Sequence, residues 1–159
     1  MRLVFTSCLL IGCAGSTETD SATTIVTDGS AAISFELDPD YLDEIEANGE
    51  QPIGMFYGSI FLDADVDGLG PLEGVVALAD VGVEVDLAAA NPTAQLTVSD
   101  TLPAGVVVIL GFLDTDANAV DGALDPEAGD PVTLVGENKF QILPGDPTSV
   151  TVYFGLLHP

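Results

Sequence analysis

The chain has 159 residues, of which 47% are apolar, and its 26 Asp and Glu residues against two Lys and Arg residues give a formal net charge of -24. This charge excludes nucleic acid as a partner, and it excludes a basic patch as the means of holding an anionic membrane, whereas divalent cations are natural partners. The apolar content is too high for an acidic disordered tail, and the length suits one folded domain.

The chain opens with MRLVFTSCLLIGCAGS, in which one Arg precedes an apolar run and then small residues, the arrangement of a secretory signal peptide. The segment LIGC, at 10–13, resembles the lipobox of bacterial lipoproteins. This resemblance implies a signal peptide at 1–12, cleavage before Cys13 and acylation of that Cys, with enough acyl chains for a stable membrane anchor. An ordinary secretory signal cleaved near residues 14–16 is the alternative.

A tether is predicted to follow the anchor. Ala14 stands where lipoproteins retained in the inner membrane have Asp, so the same resemblance implies an outer-membrane lipoprotein, on a face that the sequence does not specify. The segment AGSTETDSATT is small and polar, so residues 13–24 are predicted to be the lipidated Cys and a flexible spacer before a domain at 25–159. Because Cys8 leaves with the signal peptide and Cys13 is acylated, this domain is predicted to have no disulfide and no free thiol.

The domain is rich in short segments with strand-forming patterns. In VGVEVDL, the apolar side chains of Val83, Val85 and Leu87 fall on one face, and the acidic side chains of Glu84 and Asp86 fall on the other. Similar segments are TTIVT, AAISFEL, GMFYGSIFL, GVVAL, AQLTV, GVVVILGFL, KFQIL and TSVTVYF. Gly, Pro, Asn and Asp separate them, as turns require. Short strands at this spacing predict an all-β fold, a single antiparallel β-sandwich of about 7–9 strands.

One segment predicts a short helix. In DPDYLDEIEA, Asp38 is placed to cap the N-terminus and Pro39 occupies the first turn, while Tyr41, Leu42 and Ile45 share one face.

The first acidic loop, DADVDGLGPLEG, follows the apolar residues of GMFYGSIFL. Asp63, Asp65 and Asp67 alternate and a Gly stands at the sixth position, as in the first half of an EF-hand loop. An EF-hand requires a bidentate acid at position twelve, where this chain has Gly74, with Glu73 one residue earlier. The sequence therefore argues against an EF-hand, but it leaves Asp63, Asp65, Asp67 and Glu73 as candidate ligands of a calcium site at the end of a strand.

The segment LPAGVVVILGFLDTDANAVDGALDPEAGDPVTL resembles the later strands of transthyretin-like domains on bacterial surface lipoproteins, also called prealbumin-like or carboxypeptidase-regulatory-type domains. In that family a Pro-Gly turn leads into a strand, an Asp-rich loop and a Gly-Asp pair before the closing strands. Pro103, Gly105, Gly129 and Asp130 stand at the corresponding places. The resemblance implies a β-sandwich that carries, presents or binds rather than catalyses.

The second acidic loop lies within this segment and follows its most apolar run. Its candidate metal ligands are Asp114, Asp116, Asn118, Asp121, Asp125, Glu127 and Asp130. Hard oxygen ligands without His or Cys select Ca²⁺ or Mg²⁺, and flexible loops favour Ca²⁺ of the two. The alternative is that these residues form only solvated turns on an acidic surface.

The sequence favours a protein that is not an enzyme. The domain lacks a thiol, its one His is His158 at the penultimate position, where a frayed terminus is expected, and Lys139 is interpreted as a charge at a strand edge. These features predict a lipid-anchored cell-envelope protein with a structural or adhesive role, stabilised by Ca²⁺, with an unidentified protein or polysaccharide partner. A hydrolase of surface polysaccharide that uses only carboxylates is the alternative, since a glycosidase needs just two acids.

Overall fold

The structure is a computed structural model, and it describes residues 28–47, 49, 51–88, 96–119 and 125–159. The predicted signal peptide, Cys13, the tether and the predicted strand TTIVT lie outside the described residues. The strands are β1 (Asp28–Leu37), β2 (Ile53–Leu62), β3 (Val66–Asp67), β4 (Gly70–Pro71), β5 (Ala79–Asp86), β6 (Leu96–Pro103), β7 (Gly105–Asp114), β8 (Pro131–Thr133), β9 (Lys139–Ile142) and β10 (Thr148–Leu157). The helix α1 spans Pro39–Ala47, and a 3-10 turn spans Asp63–Asp65.

Eight of the ten strands form one continuous sheet, in the order β5-β2-β7-β8-β10-β1-β6, with β9 also paired to β7. The strands β3 and β4 form a separate two-stranded hairpin. The prediction of an all-β domain with one short helix is confirmed. The sheet is mixed rather than purely antiparallel, however, because β1 and β10 run parallel over seven residue pairs. Their separation along the chain leaves room for the long connection that a parallel pair requires.

The sheet curls so that its two halves face each other across one core, which gives the sandwich-like arrangement. Phe35 on β1 lies 4.9 Å from Phe56 on β2, centroid to centroid, and Phe56 lies 5.7 Å from Phe154 on β10 in an edge-to-face arrangement. All three rings are nearly or completely buried. Such ring pairs add about 0.5–1.5 kcal/mol beyond the area that they bury, so they hold the two halves together.

Two glycines on neighbouring strands make room for the Phe56 ring. Gly58 on β2 pairs with Gly111 on β7, and a Cβ atom at Gly111 would lie 2.8 Å from the ring of Phe56. The opposite face of the same strands carries Tyr57 and Phe112, whose rings are 5.8 Å apart. The small residues therefore admit a core ring on one face, while the large residues cover the other.

The period-two pattern of β5 is confirmed, since Val85 and Leu87 are buried and Val83 is half-buried, while Glu84 and Asp86 are exposed. The helix prediction is also confirmed: Asp38 accepts a hydrogen bond from the N–H of Asp40 at 2.9 Å. Among the residues that the structure describes, no helix has the length and hydrophobicity needed to span a bilayer.

The strand predicted at GVVAL was wrong. Residues 74–78 form an irregular segment, in which Gly74 has φ 81° and the N–H of Val75 donates back to the carbonyl of Leu72. The positive φ at Gly74 and this turn bond replace strand geometry at the start of the segment, and the N–H of Leu78 alone donates to β2, at the carbonyl of Ile60.

Candidate metal centre

The register between β7 and β8 brings two acidic residues to opposite positions. Phe112 on β7 pairs with Val132 on β8 in an antiparallel ladder. Asp114 lies two residues after Phe112 on β7, and Asp130 lies two residues before Val132. Because side chains alternate between the faces of a strand, these two carboxylates lie on the same side of the sheet as the Phe112–Val132 pair. The pairing of β7 with β8 therefore brings Asp114 and Asp130 of the second acidic loop close together.

Asp116 completes a group of three carboxylates. Each of Asp114, Asp116 and Asp130 offers one oxygen, and these oxygens all lie within 4.8 Å of one another. Asp114 and Asp130 are only 3% and 4% exposed, whereas Asp116 is exposed. Like charges at this separation repel, and partial burial removes the water that would screen them. A divalent cation between them would convert this repulsion into attraction.

Backbone groups of the loop orient the carboxylate of Asp114. Its Oδ1 accepts the N–H of Asn118 at 3.1 Å, and its Oδ2 accepts the N–H of Ala119 at 3.2 Å. To form this turn, Ala117 adopts a left-handed conformation with φ 59°, which costs a non-glycine residue about 1–2 kcal/mol. The loop therefore holds a strained residue in order to wrap its amides around a carboxylate.

Both carboxylate oxygens of Asp130 accept backbone hydrogen bonds. Its Oδ2 accepts the N–H of Glu127 at 2.9 Å, and its Oδ1 accepts the N–H of Thr115 at 3.4 Å. Burial raises the pKa of the Asp130 carboxyl above its ordinary value; the two backbone hydrogen bonds oppose this rise, and the negative charges of Asp114 and Asp116 add to it. The carboxylate is thus fixed in position but is electrostatically unfavourable when ionised.

The end of the chain supports this loop, contrary to the prediction of a frayed terminus. The N–H of His158 donates to the carbonyl of Asp130 at 2.8 Å, and the carbonyl of His158 accepts the N–H of Gly129 at 2.9 Å. These two bonds prolong the pairing between β8 and β10. His158 is therefore an ordered part of the structure.

Two further predicted ligands border the group. The side-chain amide of Asn118 donates to Asp116 at 2.7 Å and to Glu127 at 3.1 Å, so one neutral donor bridges two carboxylates. Asp125 is exposed and is not part of the group of three. Asp121 lies outside the described residues.

The structure does not gather the acids of the first loop in the same way. Asp63, Asp65, Asp67 and Glu73 form no group of three within the described ranges. Asp63 instead forms an ion pair with Lys139 at 2.5 Å, and Asp67 accepts the N–H of Leu69 at 2.8 Å. Lys139 is the first residue of β9.

Sequence reasoning missed one buried polar residue, Asn138. It is completely buried, and its side chain donates to the carbonyls of Leu134 and Tyr153 and accepts the N–H of Tyr153 at 2.7 Å. Its own carbonyl accepts the N–H of Ile109. Asn138 thus connects β7, the turn after β8 and β10. In the sequence it stands in GENK, a pattern indistinguishable from an ordinary turn.

Comparison of the chain with protein-family models, with curated proteins and with solved structures finds no match. The resemblances to the lipobox and to transthyretin-like domains therefore stay predictions.

Proposed function

We propose that the chain is a lipid-anchored, non-enzymatic protein of the cell envelope, whose acidic β domain is stabilised by Ca²⁺ held between Asp114, Asp116 and Asp130. The observation that carries the metal part of this proposal is the convergence of the three carboxylates within 4.8 Å, two of them buried. The anchor part rests on the lipobox-like residues that end at Cys13.

The donor set supports calcium over a transition metal. The group contains only oxygen ligands, and Glu127, which accepts the side-chain amide of Asn118, brings one further carboxylate to its border. Calcium takes six to eight oxygens in flexible geometry, whereas magnesium requires a near-ideal octahedron. Extracellular calcium modules bind with Kd of about 10⁻⁴ to 10⁻³ M, which suits a site that stiffens a loop.

The proposal of a structural site also agrees with where the carboxylates lie. They stand where β7 ends and β8 begins, and the buried Asp130 is tied to the chain terminus through its carbonyl. A glycosidase acid must reach its substrate, but both carboxylate oxygens of Asp130 accept backbone N–H groups and the residue is 4% exposed. This geometry supports the binding role over the hydrolase alternative.

Calcium titration by calorimetry tests the metal part, with the double variants Asp114→Asn/Asp116→Asn and Asp65→Asn/Asp67→Asn compared with the unaltered protein. Each pair of substitutions removes the same charge from a different acidic loop. We expect calcium binding to be lost only in the first variant and magnesium to bind more weakly than calcium. Loss only in the second variant would move the site to the first loop, and unchanged binding in both would contradict the proposal.

Metabolic labelling with a palmitate analogue tests the anchor. We expect the full chain, expressed in a bacterium with lipoprotein processing, to incorporate the label and to fractionate with the outer membrane. The Cys13→Ser variant should incorporate none. Equal labelling of the two proteins, or no labelling of either, would contradict lipidation at Cys13.

A further inference from the structure

A groove of about 850 Å³ runs along the outer face of the sheet, on the side opposite to the aromatic core. Its walls come from β2, β5 and β7, from the hairpin β3-β4, and from the segments around residues 125–126 and 132–135. Pockets that hold small molecules have volumes of about 300–1,000 Å³ and combine apolar walls with a few polar groups. The size of this groove therefore suits a small organic molecule.

The floor of the groove is aromatic. Tyr57 and Phe112, adjacent on β2 and β7, both line it, and so does Phe61. Ring faces attract cations through their quadrupole, with energies that increase as water is removed. An apolar ligand body would also be stabilised by contact with these rings.

The carboxylates of two acidic residues line the groove. Asp80 and Asp125 both lie along it, and the hydroxyl of Ser59 fixes Asp80 by donating to its Oδ1 at 2.7 Å. No Lys or Arg stands among the lining residues that the structure describes. With a net charge of -24, the field of the whole protein concentrates cations in such a cleft and repels anions.

His158 adds a polar atom in need of a partner. It lines the groove, and its Nδ1 is buried with no hydrogen-bond partner among the described residues. A buried polar atom without a partner is unfavourable, and an N–H group of a bound cation would supply the missing bond to a neutral imidazole.

We propose that this groove binds a small organic cation, an amidine-, guanidine- or amine-bearing molecule with an apolar body, whose charge faces Asp80 and Asp125 while its body contacts Tyr57 and Phe112. Asp114, Asp116 and Asp130 do not line the groove, so we expect the cation to bind without calcium. Charge complementarity favours a cation, and the volume of the groove favours a small molecule.

The test uses three probes of nearly equal shape and different charge: benzamidine, benzamide and benzoate. Each is titrated into the full chain while the aromatic NMR signals of Tyr57, Phe112 and His158 are followed, once with EDTA and once with millimolar Ca²⁺. We expect benzamidine to shift these signals in both conditions, benzamide to bind at least fivefold more weakly, and benzoate not to bind. Equal binding of benzamide, or displacement of benzamidine by Ca²⁺, would overturn the proposal.

Variants locate the bound cation. Asp80→Asn and Asp125→Asn should each weaken benzamidine about two- to fivefold, as for an exposed charge pair, and Tyr57→Leu should weaken it by a similar factor. Asp43→Asn is the matched control, because Asp43 is an exposed acid on α1 outside the groove and its loss changes the net charge equally. If Asp43→Asn weakens binding as much as the groove variants, the cation responds only to the overall charge and the assigned site is wrong.

NMR shifts confined to residues outside the groove would also overturn the proposal. A preference for a basic peptide at least a hundredfold over benzamidine would replace the small molecule with a protein partner.

Discussion

Asp130→Asn is expected to have opposite effects on stability without and with calcium. The substitution keeps the size of the side chain and removes one charge from the group of three carboxylates. Without metal, the lost charge relieves repulsion in a buried position. With metal, the same change removes a ligand. Few other substitutions distinguish a cation site from a solvated acidic surface so clearly.

The magnitude follows from the geometry of Asp130. Two unit charges 4.8 Å apart interact by about 1 kcal/mol in water and by about 3.5 kcal/mol at an effective dielectric constant of 20. Asn keeps one acceptor oxygen, so it retains the 2.9 Å bond from Glu127 and loses the weaker 3.4 Å bond from Thr115, a loss of about 1 kcal/mol. We expect the variant to be about 1–2 kcal/mol more stable than the unaltered protein in EDTA.

Urea unfolding followed by circular dichroism measures this difference. With Ca²⁺ at about one hundred times Kd, the unaltered protein should gain about 2.7 kcal/mol and Asp130→Asn should gain little. Asp43→Asn, on the exposed face of α1, controls for the loss of one charge. A variant that is less stable than the unaltered protein in EDTA would refute the repulsion argument, and an undiminished calcium gain would remove Asp130 from the site.

The same carboxyl predicts how stability depends on pH without metal. The pKa of Asp130 is raised on folding, so its protonated carboxyl contributes to the stability of the folded state. This contribution is fully present below the ordinary pKa of 3.8 and is lost as pH rises through the raised pKa. Asp130→Asn should remove this loss, which the difference between the two pH profiles in EDTA would show. Parallel profiles would contradict the assignment.

Three further predictions concern the fold. Asn138→Ala should lower the free energy of unfolding by about 2–4 kcal/mol, because it leaves buried backbone groups without partners; a change under 1 kcal/mol in urea unfolding would contradict this. Tyr153 donates to Asp38, and this hydrogen bond raises the pKa of Tyr153 to about 12. Its contribution to stability is therefore present below pH 10 and is lost as pH rises through about 12. Absorbance at alkaline pH should show a tyrosine that titrates late and that is absent in Tyr153→Phe. Gly111→Ala should destabilise by about 1–3 kcal/mol, because its methyl group would overlap with the backbone of Tyr57 and Gly58 and with the Phe56 ring. Gly82→Ala, with open space at that position, should change stability little; equal effects in thermal unfolding would contradict the packing argument.

The local elements of the fold could be predicted from the sequence because local rules determine them. Alternation identified Val85 and its exposed neighbours Glu84 and Asp86 on β5, and the Asp38 cap located the start of α1. The parallel pairing of β1 with β10 could not be predicted, because it joins segments more than a hundred residues apart and leaves no local pattern. The same limit explains the wrong strand at GVVAL, where β-branched residues occupy an irregular segment beside a turn.

The candidate site divides in the same way. The sequence shows that both loops are rich in acidic residues. Which of these residues come together depends on how the strands pair. The register of β7 against β8 selects Asp114 and Asp130, and an ion pair with Lys139 engages Asp63 in the other loop. The roles of Asn138 and of the groove beside Tyr57 come from long-range contacts, which no local pattern reports.

Thermal unfolding of the full chain shows whether calcium stabilises the domain, when it is measured in EDTA and in millimolar Ca²⁺, Mg²⁺ and Na⁺ at matched ionic strength. We expect Ca²⁺ to raise the midpoint by several degrees more than Mg²⁺ or Na⁺, and Asp114→Asn/Asp116→Asn to abolish this extra gain. Equal effects of all three salts would contradict it, because the carboxylates would then be only a screened acidic surface.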